Sequence, residues 1–229
     1  MDKFNGLNTN TVVGQATSSI SGGRTVIDHS YPEHKVTDGA FISNPPAQGG
    51  LIAEGDLGQF DYNTNTVKHL AIFVATTIAA ANATELVLAY GEGYVVPKVG
   101  DIAMLAPANF ATGTGTAKTI QTVAIDAVAG TATITLDAAI GATAVGTPIV
   151  LAAAAGSSQS VAVVPNVAFP KDIYIYQVPA ATYNAATGAK YYTSLYDACA
   201  ILGKKVRIAI PAGARAALRT GYSDIKIVE

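Results

Sequence analysis

The chain has no tryptophan, a single cysteine and few charged residues, and each scarcity narrows what it can be. One cysteine, Cys199, excludes an intrachain disulfide framework and a cysteine-based zinc site. It lies in SLYDACAIL (194–202), which reads as a helix with the thiol as a small core group. Charged residues make up 13% of the chain, about half the usual share. So little charge leaves two readings open. Either partners or further copies cover much of the surface, or Thr, Asn and Ser solvate it without charge. Aromatics are 7% although half the residues are hydrophobic, so the apolar content is Ala, Val and Ile. That suits thin β layers better than a deep aromatic pocket.

A net charge of −2 is too small to imply nucleic-acid binding. The most apolar runs, such as Leu70–Ala81, contain Thr and are too short to span a bilayer, so no membrane partner is expected. MDKFNGLNTNT at the start has no apolar stretch of secretory type, and assembly in a cytoplasm is expected. The distribution of charge is more informative than its sum. Residues 171–229 hold eight Lys/Arg against four Asp/Glu, whereas residues 1–170 hold six against twelve. Arg207, Arg215 and Arg219 give the C-terminal part a basic face that could seat on an acidic surface, or they flank a half-exposed strand.

At 229 residues there is length for one large or two small domains. Residues 1–50 are rich in Asn, Thr, Ser and Gly, and short apolar clusters (Val12–Val13, Thr25–Ile27, Ala40–Ile42) are separated by turn formers. Such a segment buries little against itself. It reads as an extended arm that orders on another surface by adding a strand there, or as a partly disordered tail. Residues 84–155 form the clearest unit, with short strands and turns every eight to twelve residues, the pattern of a sandwich or small barrel. Its strands are ELVLA, DIAML, TIQTVAIDAV, TATITLD and GTPIVLA; from Ile102 to Pro170 only Lys118, Asp126 and Asp137 carry charge. Residues 51–83 and 156–229 form a β-rich, α+β unit. Thr193 or Ser194 would cap a helix over about 193–202 that Gly203 ends. KKVRIAIPAGA then reads as a strand ending at Pro211, and SDIKIVE as a terminal strand. The expected fold is therefore mainly β, with a sandwich or small-barrel module, a C-terminal α+β unit and an extended N-terminal arm.

Chemistry is sparse. GTGTAKT (113–119) has the glycines of a phosphate-binding loop, but Ala117 precedes Lys118 and a strand follows, so a flexible hairpin tip is expected. His29 and His34 flank Pro32 beside Asp28 and Glu33, a polar turn rather than a metal site. DYNTNT (61–66) alternates Asp61, Asn63 and Asn65 as calcium loops do. It lacks the glycine and glutamate such loops need, since Thr66 and Ile72 stand there, so a turn held by Asn side chains is expected. No catalytic residue, cofactor site or metal site is assigned, and the chain is read as a non-enzyme. A hydrolase with a scattered site would need a buried cleft lined by Asp101, Asp126 or the histidines.

Tyrosine is the distinctive residue. Tyr174, Tyr176, Tyr183, Tyr191, Tyr192 and Tyr196 crowd one stretch, where they make either an interface or the core of the C-terminal unit. The candidate interface residues are Val12, Val13, Ile27, Phe41, Tyr174, Tyr176, Tyr191, Arg207, Arg215 and Arg219.

VPKVGDIAML (96–105), followed by TVAIDAVAGTATITLDAAIGATAVGTPIVLA (122–152), resembles the β modules of tailed-bacteriophage head proteins. The shared pattern is a Val-Gly-Asp strand start, then strand, Ala-Gly-Thr turn, strand, Ala-rich loop and strand, over about a third of the chain. The chain lacks the length and the long spine helix of a major capsid protein. The resemblance therefore implies an auxiliary capsid protein of the head decoration, cement or head-fibre type. Its implied partners are the major capsid protein and other copies of itself, in trimers, and its implied place is the capsid exterior of the virion. A tail, baseplate or receptor-binding adhesin component is the structural alternative.

Overall fold

The computed structural model describes residues 26–28, 30–31, 33–36, 40–44, 46, 50–91, 93–174, 192–220 and 224–228. In chain order the first strands are β1 (His34–Lys35), β2 (Ala40–Ile42), β3 (Leu51–Ile52), β4 (Leu57–Asp61), β5 (Thr66–His69), β6 (Ile72–Val74) and β7 (Glu85–Ala89). Then come β8 (Ile102–Leu105), β9 (Gly115–Asp126), β10 (Thr131–Leu136), β11 (Pro148–Leu151), β12 (Gly156–Gln159), β13 (Val167–Ala168) and β14 (Ile173–Tyr174). β15 (Tyr192–Thr193), β16 (Tyr196–Leu202), helix α1 (Ala212–Thr220) and β17 (Asp224–Val228) complete the chain. The protein is mainly β, as its Ala/Val/Ile-rich composition and close-spaced turns predict.

One sheet has the order β6-β11-β8-β9-β10-β7, with β12 added beside β9. It curls strongly, and past the end of β6 Ala75 bridges Leu88 of β7, bringing the two ends of the sheet together in a barrel-like wrap. Alternation sorts the two faces: Leu86 and Leu88 of β7 and Ala132, Ile134 and Leu136 of β10 are buried inside, with Val87 between the first pair and Thr133 and Thr135 between the others half-buried. The Val-Ala-Gly turn after β9 is held by Asp126, whose Oδ1 accepts from Val128 N at 3.0 Å and Ala129 N at 2.9 Å. Gly130 there has φ +66°, which suits glycine in a tight hairpin.

The other large sheet has the order β1-β16-β13-β4-β5-β2-β15, with β17 parallel to β16. One cluster on it gathers Ile42, Ile52, Phe60, Val67, Phe169 and Leu195. A second, larger cluster joins the two sheets, since Val26, Ile27, Leu57, Ile201 and Ile225 share it with Ile72, Met104, Phe110, Ala117 and Val150. The barrel and the C-terminal unit thus have a core in common, and the chain leaves the larger sheet after β5 to build the barrel before returning at β13.

Three expectations are corrected. Residues 193–202 do not form a helix: Tyr196–Leu202 is the strand β16, with Ile27 and β1 along one side and β13 and β17 along the other. A strand enclosed in this way has a near-continuous apolar run, which locally resembles a buried helix. Thr193 is no cap; its hydroxyl donates to Ser194 O at 2.9 Å. KKVRIAIP, expected to be a strand ending at Pro211, is no strand: a 3-10 turn at Gly203–Lys205 is followed by irregular chain, and the helix begins after Pro211. Pro211 O accepts from Ala214 N and Arg215 N, Pro sets the entry, and Ala212, Ala214, Ala216 and Ala217 favour the helical turn. GTGTAKT is not a hairpin tip, because from Gly115 onward it is β9, paired with β8 and β12.

Residues 1–25 of the expected arm lie outside the described residues. The described residues that follow are built into the body: Ile27 bridges Ile201, Val36 N donates to Leu195 O at 2.9 Å, and β2 pairs with β5. A polar tie secures them. Glu54 Oε1 accepts from Val26 N and Ile27 N, both at 3.0 Å, and Glu54 N donates to Asp172 Oδ1 at 2.7 Å. Asp172 Oδ2 lies 3.6 Å from Arg207 Nη2.

Two substitutions test this architecture. At Gly213 of α1 a Cβ would come within 2.0 Å of Pro107 O and 2.8 Å of the Phe110 ring, so Gly213→Ala must push the helix off the barrel. It is expected to cost about 2 kcal/mol in urea unfolding, within the range for overpacking. Glu54→Ala leaves two part-buried N–H groups without their acceptor and is expected to cost about 2–4 kcal/mol. An unchanged urea midpoint in either variant would count against the packing described.

Candidate assembly surface

Among the described residues, the histidines and the acids Asp101 and Asp126 do not converge on a common cleft. His69 is 2% exposed, its Nε2 lies 3.0 Å from Asp56 Oδ2, and that oxygen also accepts from Ala53 N at 2.8 Å. Asn44 clamps the His69 backbone in both directions, at 2.6 and 2.9 Å. A general base must reach its substrate, and this imidazole is enclosed; it fixes the 53–56 turn. His34 is exposed, with Nδ1 2.6 Å from Asp197 Oδ1, a surface pair of small energetic value. His29 lies outside the described residues. Among the described residues no group of three or more His, Cys, Asp or Glu could hold a metal ion.

The acidic residues named as possible site groups serve turns. Asp101 Oδ2 accepts from Lys98 N at 2.8 Å, and Asp126 holds the β9–β10 turn. In DYNTNT the side chain that organises the turn is Asp61, not an asparagine: it accepts from Asn63 N at 2.8 Å and Thr64 Oγ1 at 3.0 Å. Those bonds hold its carboxyl below the usual range. Asn65 contributes through its φ of 52°.

The candidate interface residues divide. Val12, Val13, Tyr176 and Tyr191 lie outside the described residues. Ile27 is fully buried in the shared core and cannot meet a partner, because β16 consumes the segment that was expected to remain an arm. Phe41 is half-buried on β2, and Tyr174 is half-buried on β14. Tyr196 turns inward under the Lys35 ammonium, 5.7 Å from the ring centroid. Arg207 is drawn toward Asp172, and its stem crosses Gly93 so closely that a Cβ there would meet Arg207 Cδ at 2.6 Å. Arg215 and Arg219 lie on α1, Arg215 half-buried with Nε donating to Ile210 O at 3.1 Å and Arg219 exposed.

The surface that sequence reasoning missed is aliphatic. Ile78, Val99, Ile125, Val128 and Val145 are exposed, and all five belong to the barrel or its loops. Ile78 and Val145 sit on neighbouring loops, joined by paired hydrogen bonds between Ala79 and Thr143. Ile125 and Val128 mark the β9–β10 hairpin end, where every residue from Ala124 to Ala129 is exposed. The available signal was that Val128 stands in a turn, where polar residues are usual.

Against protein-family models, curated proteins and solved structures, the chain finds no match.

Cys199 sits on β16, and burial, followed by the Glu33 and Asp197 charges, pushes its pKa up to about 12. Burial and a bond to Glu33 do the same for Tyr196, also to about 12. Raised folded values mean that the neutral forms stabilise the native state. That contribution is complete below the ordinary thiol value of 9.0 and is lost as pH climbs toward about 12. Ellman's reagent at pH 8 is therefore expected to label the unfolded chain fully and the native protein negligibly. Rapid native labelling would contradict the buried strand placement.

Proposed function

We propose that this chain is a structural virion protein, an auxiliary component that binds and stabilises or decorates the capsid shell of a tailed phage. It works by association and not by catalysis, with the major capsid protein and its own copies as partners. It assembles in the host cytoplasm, as trimers, and takes its place on the capsid exterior. The observation that carries this reading is the set of five exposed aliphatic side chains on a barrel with very few charges. Ile78 and Val145 stand on adjoining loops joined by the Ala79–Thr143 hydrogen bonds, and neighbouring apolar groups on a surface mark an interaction site. Each such side chain is worth about 1.5–3 kcal/mol when fully buried. Many copies on one shell turn modest contacts into firm attachment. The resemblance of residues 96–105 and 122–152 to phage head modules supplies the setting.

A second reading, a tail, baseplate or receptor-binding adhesin component, is favoured by Tyr62. Its exposed ring stands at a shallow cleft of about 340 Å³ with Gln59, Asp61, Asn63 and Lys68, an aromatic-plus-polar arrangement that suits a sugar.

Co-sedimentation with shells assembled from the major capsid protein of the same genome separates the two. The protein is expected to pellet with shells, and the Ile78→Asp/Val145→Asp double variant to lose at least tenfold in affinity. Removing residues 1–25 tests the arm without touching the buried Val26 and Ile27. A monodisperse monomer that ignores shells yet binds glycans through Tyr62 would replace the first reading with the second.

A further inference from the structure

The structure assigns the shallow cleft on the β4–β5 hairpin as a binding site for a neutral saccharide, with Tyr62 as the platform on which the sugar ring stacks. The inference rests on the cleft that carries the second reading above, and it adds the class of ligand and the part each side chain plays. Two strands build the site. Register pairs Gln59 with Lys68 and Asp61 with Thr66, and because side chains alternate these four share one face, while Phe60 and Val67 turn into the core. The turn at 62–65 is fixed by Asp61, which accepts from Asn63 N and Thr64 Oγ1, and by a 2.8 Å bond between the Thr64 and Thr66 hydroxyls. Tyr62 leaves this turn 67% exposed, yet its ring is set edge-to-face on Phe60, with centroids 4.6 Å apart. An exposed aromatic ring backed by a buried one is a preformed flat surface.

The polar groups beside that ring complement hydroxyls. Val164 N donates to Gln59 Oε1 at 3.3 Å. The Gln59 Nε2 hydrogens and the Lys68 ammonium are left as donors with no acceptor among the described residues. Asp61 uses one lone pair of each carboxylate oxygen in the turn and keeps the other for a ligand. A sugar hydroxyl both donates and accepts, so it can use both kinds of group, while the C–H face of the sugar ring meets Tyr62. Charge sets the class. Lys68 is the one cation and Asp61 the one anion among the residues lining the cleft, and they stand diagonally across the two strands. Together they leave no net charge to attract a phosphate, a uronic acid or an amine. The Asp197 carboxylate of β16 also acts on Tyr62, which disfavours an acidic sugar further. At about 340 Å³ the cleft is near the lower end of ligand sites, so it takes the end of a glycan and not a long stretch of one.

The test applies the labelled full chain to an array of oligosaccharides ending in neutral hexoses, N-acetylhexosamines or uronic acids, and then titrates the strongest probe by calorimetry. Neutral termini are expected to bind, and to bind about tenfold or more tighter than uronic acids. Tyr62→Ala is expected to lose about tenfold, whereas Tyr62→Phe keeps the ring and stays within about twofold. Tyr62 and Lys68 are both exposed, so Tyr62→Ala and Lys68→Met are expected to keep the wild-type melting temperature, and Lys68→Met to bind severalfold more weakly. No binding to any saccharide would overturn the inference, as would full binding by Tyr62→Ala. Preference for uronic acids would overturn the neutral class. Wild-type protein that binds neutral sugar and also pellets with capsid shells would uphold the site and remove the second reading, so the two fail separately.

Discussion

A part-buried carboxylate ties the first described residues of the chain to the body of this protein. Glu54 Oε1 takes the N–H groups of Val26 and Ile27, and the Glu54 N–H is itself fixed by Asp172, which faces Arg207. The stem of Arg207 passes over Gly93, in the loop after β7 of the barrel. Four segments remote in sequence therefore meet through one run of charge-assisted contacts. Partly buried charges persist only when their lone pairs and protons find partners, so this arrangement tolerates few alternatives. The geometry also explains why Gly93 has no side chain: the space a Cβ would fill belongs to Arg207.

What the tie secures is a shared core. The larger sheet and the barrel do not each close around their own apolar centre; Ile201 and Ile225 of the former share a cluster with Met104 and Val150 of the latter. Phe110 and Gly213 extend that union to α1, through packing that leaves no room for a methyl group and a bond from Phe110 N to Gly213 O at 3.1 Å. Interiors packed this closely transmit displacement instead of absorbing it. A load applied at the barrel is therefore passed to the larger sheet.

The parts of this fold legible in the sequence are those with local causes. The β9–β10 hairpin follows from period-two alternation around Val-Ala-Gly, and β7 and β17 from their own alternation. The parts that were not legible depend on neighbours. Nothing within Tyr196–Leu202 reveals that strands and an N-terminal segment will enclose it, and an apolar run so enclosed reads equally well as a helix. The described residues between Val26 and Asn44 look too polar to fold by themselves, and they are held because β16 and β5 offer edges and Glu54 supplies the acceptors. The exposure of Ile78 was opaque for the same reason, since it lies in a loop outside the alternation that marks Ile134 as buried.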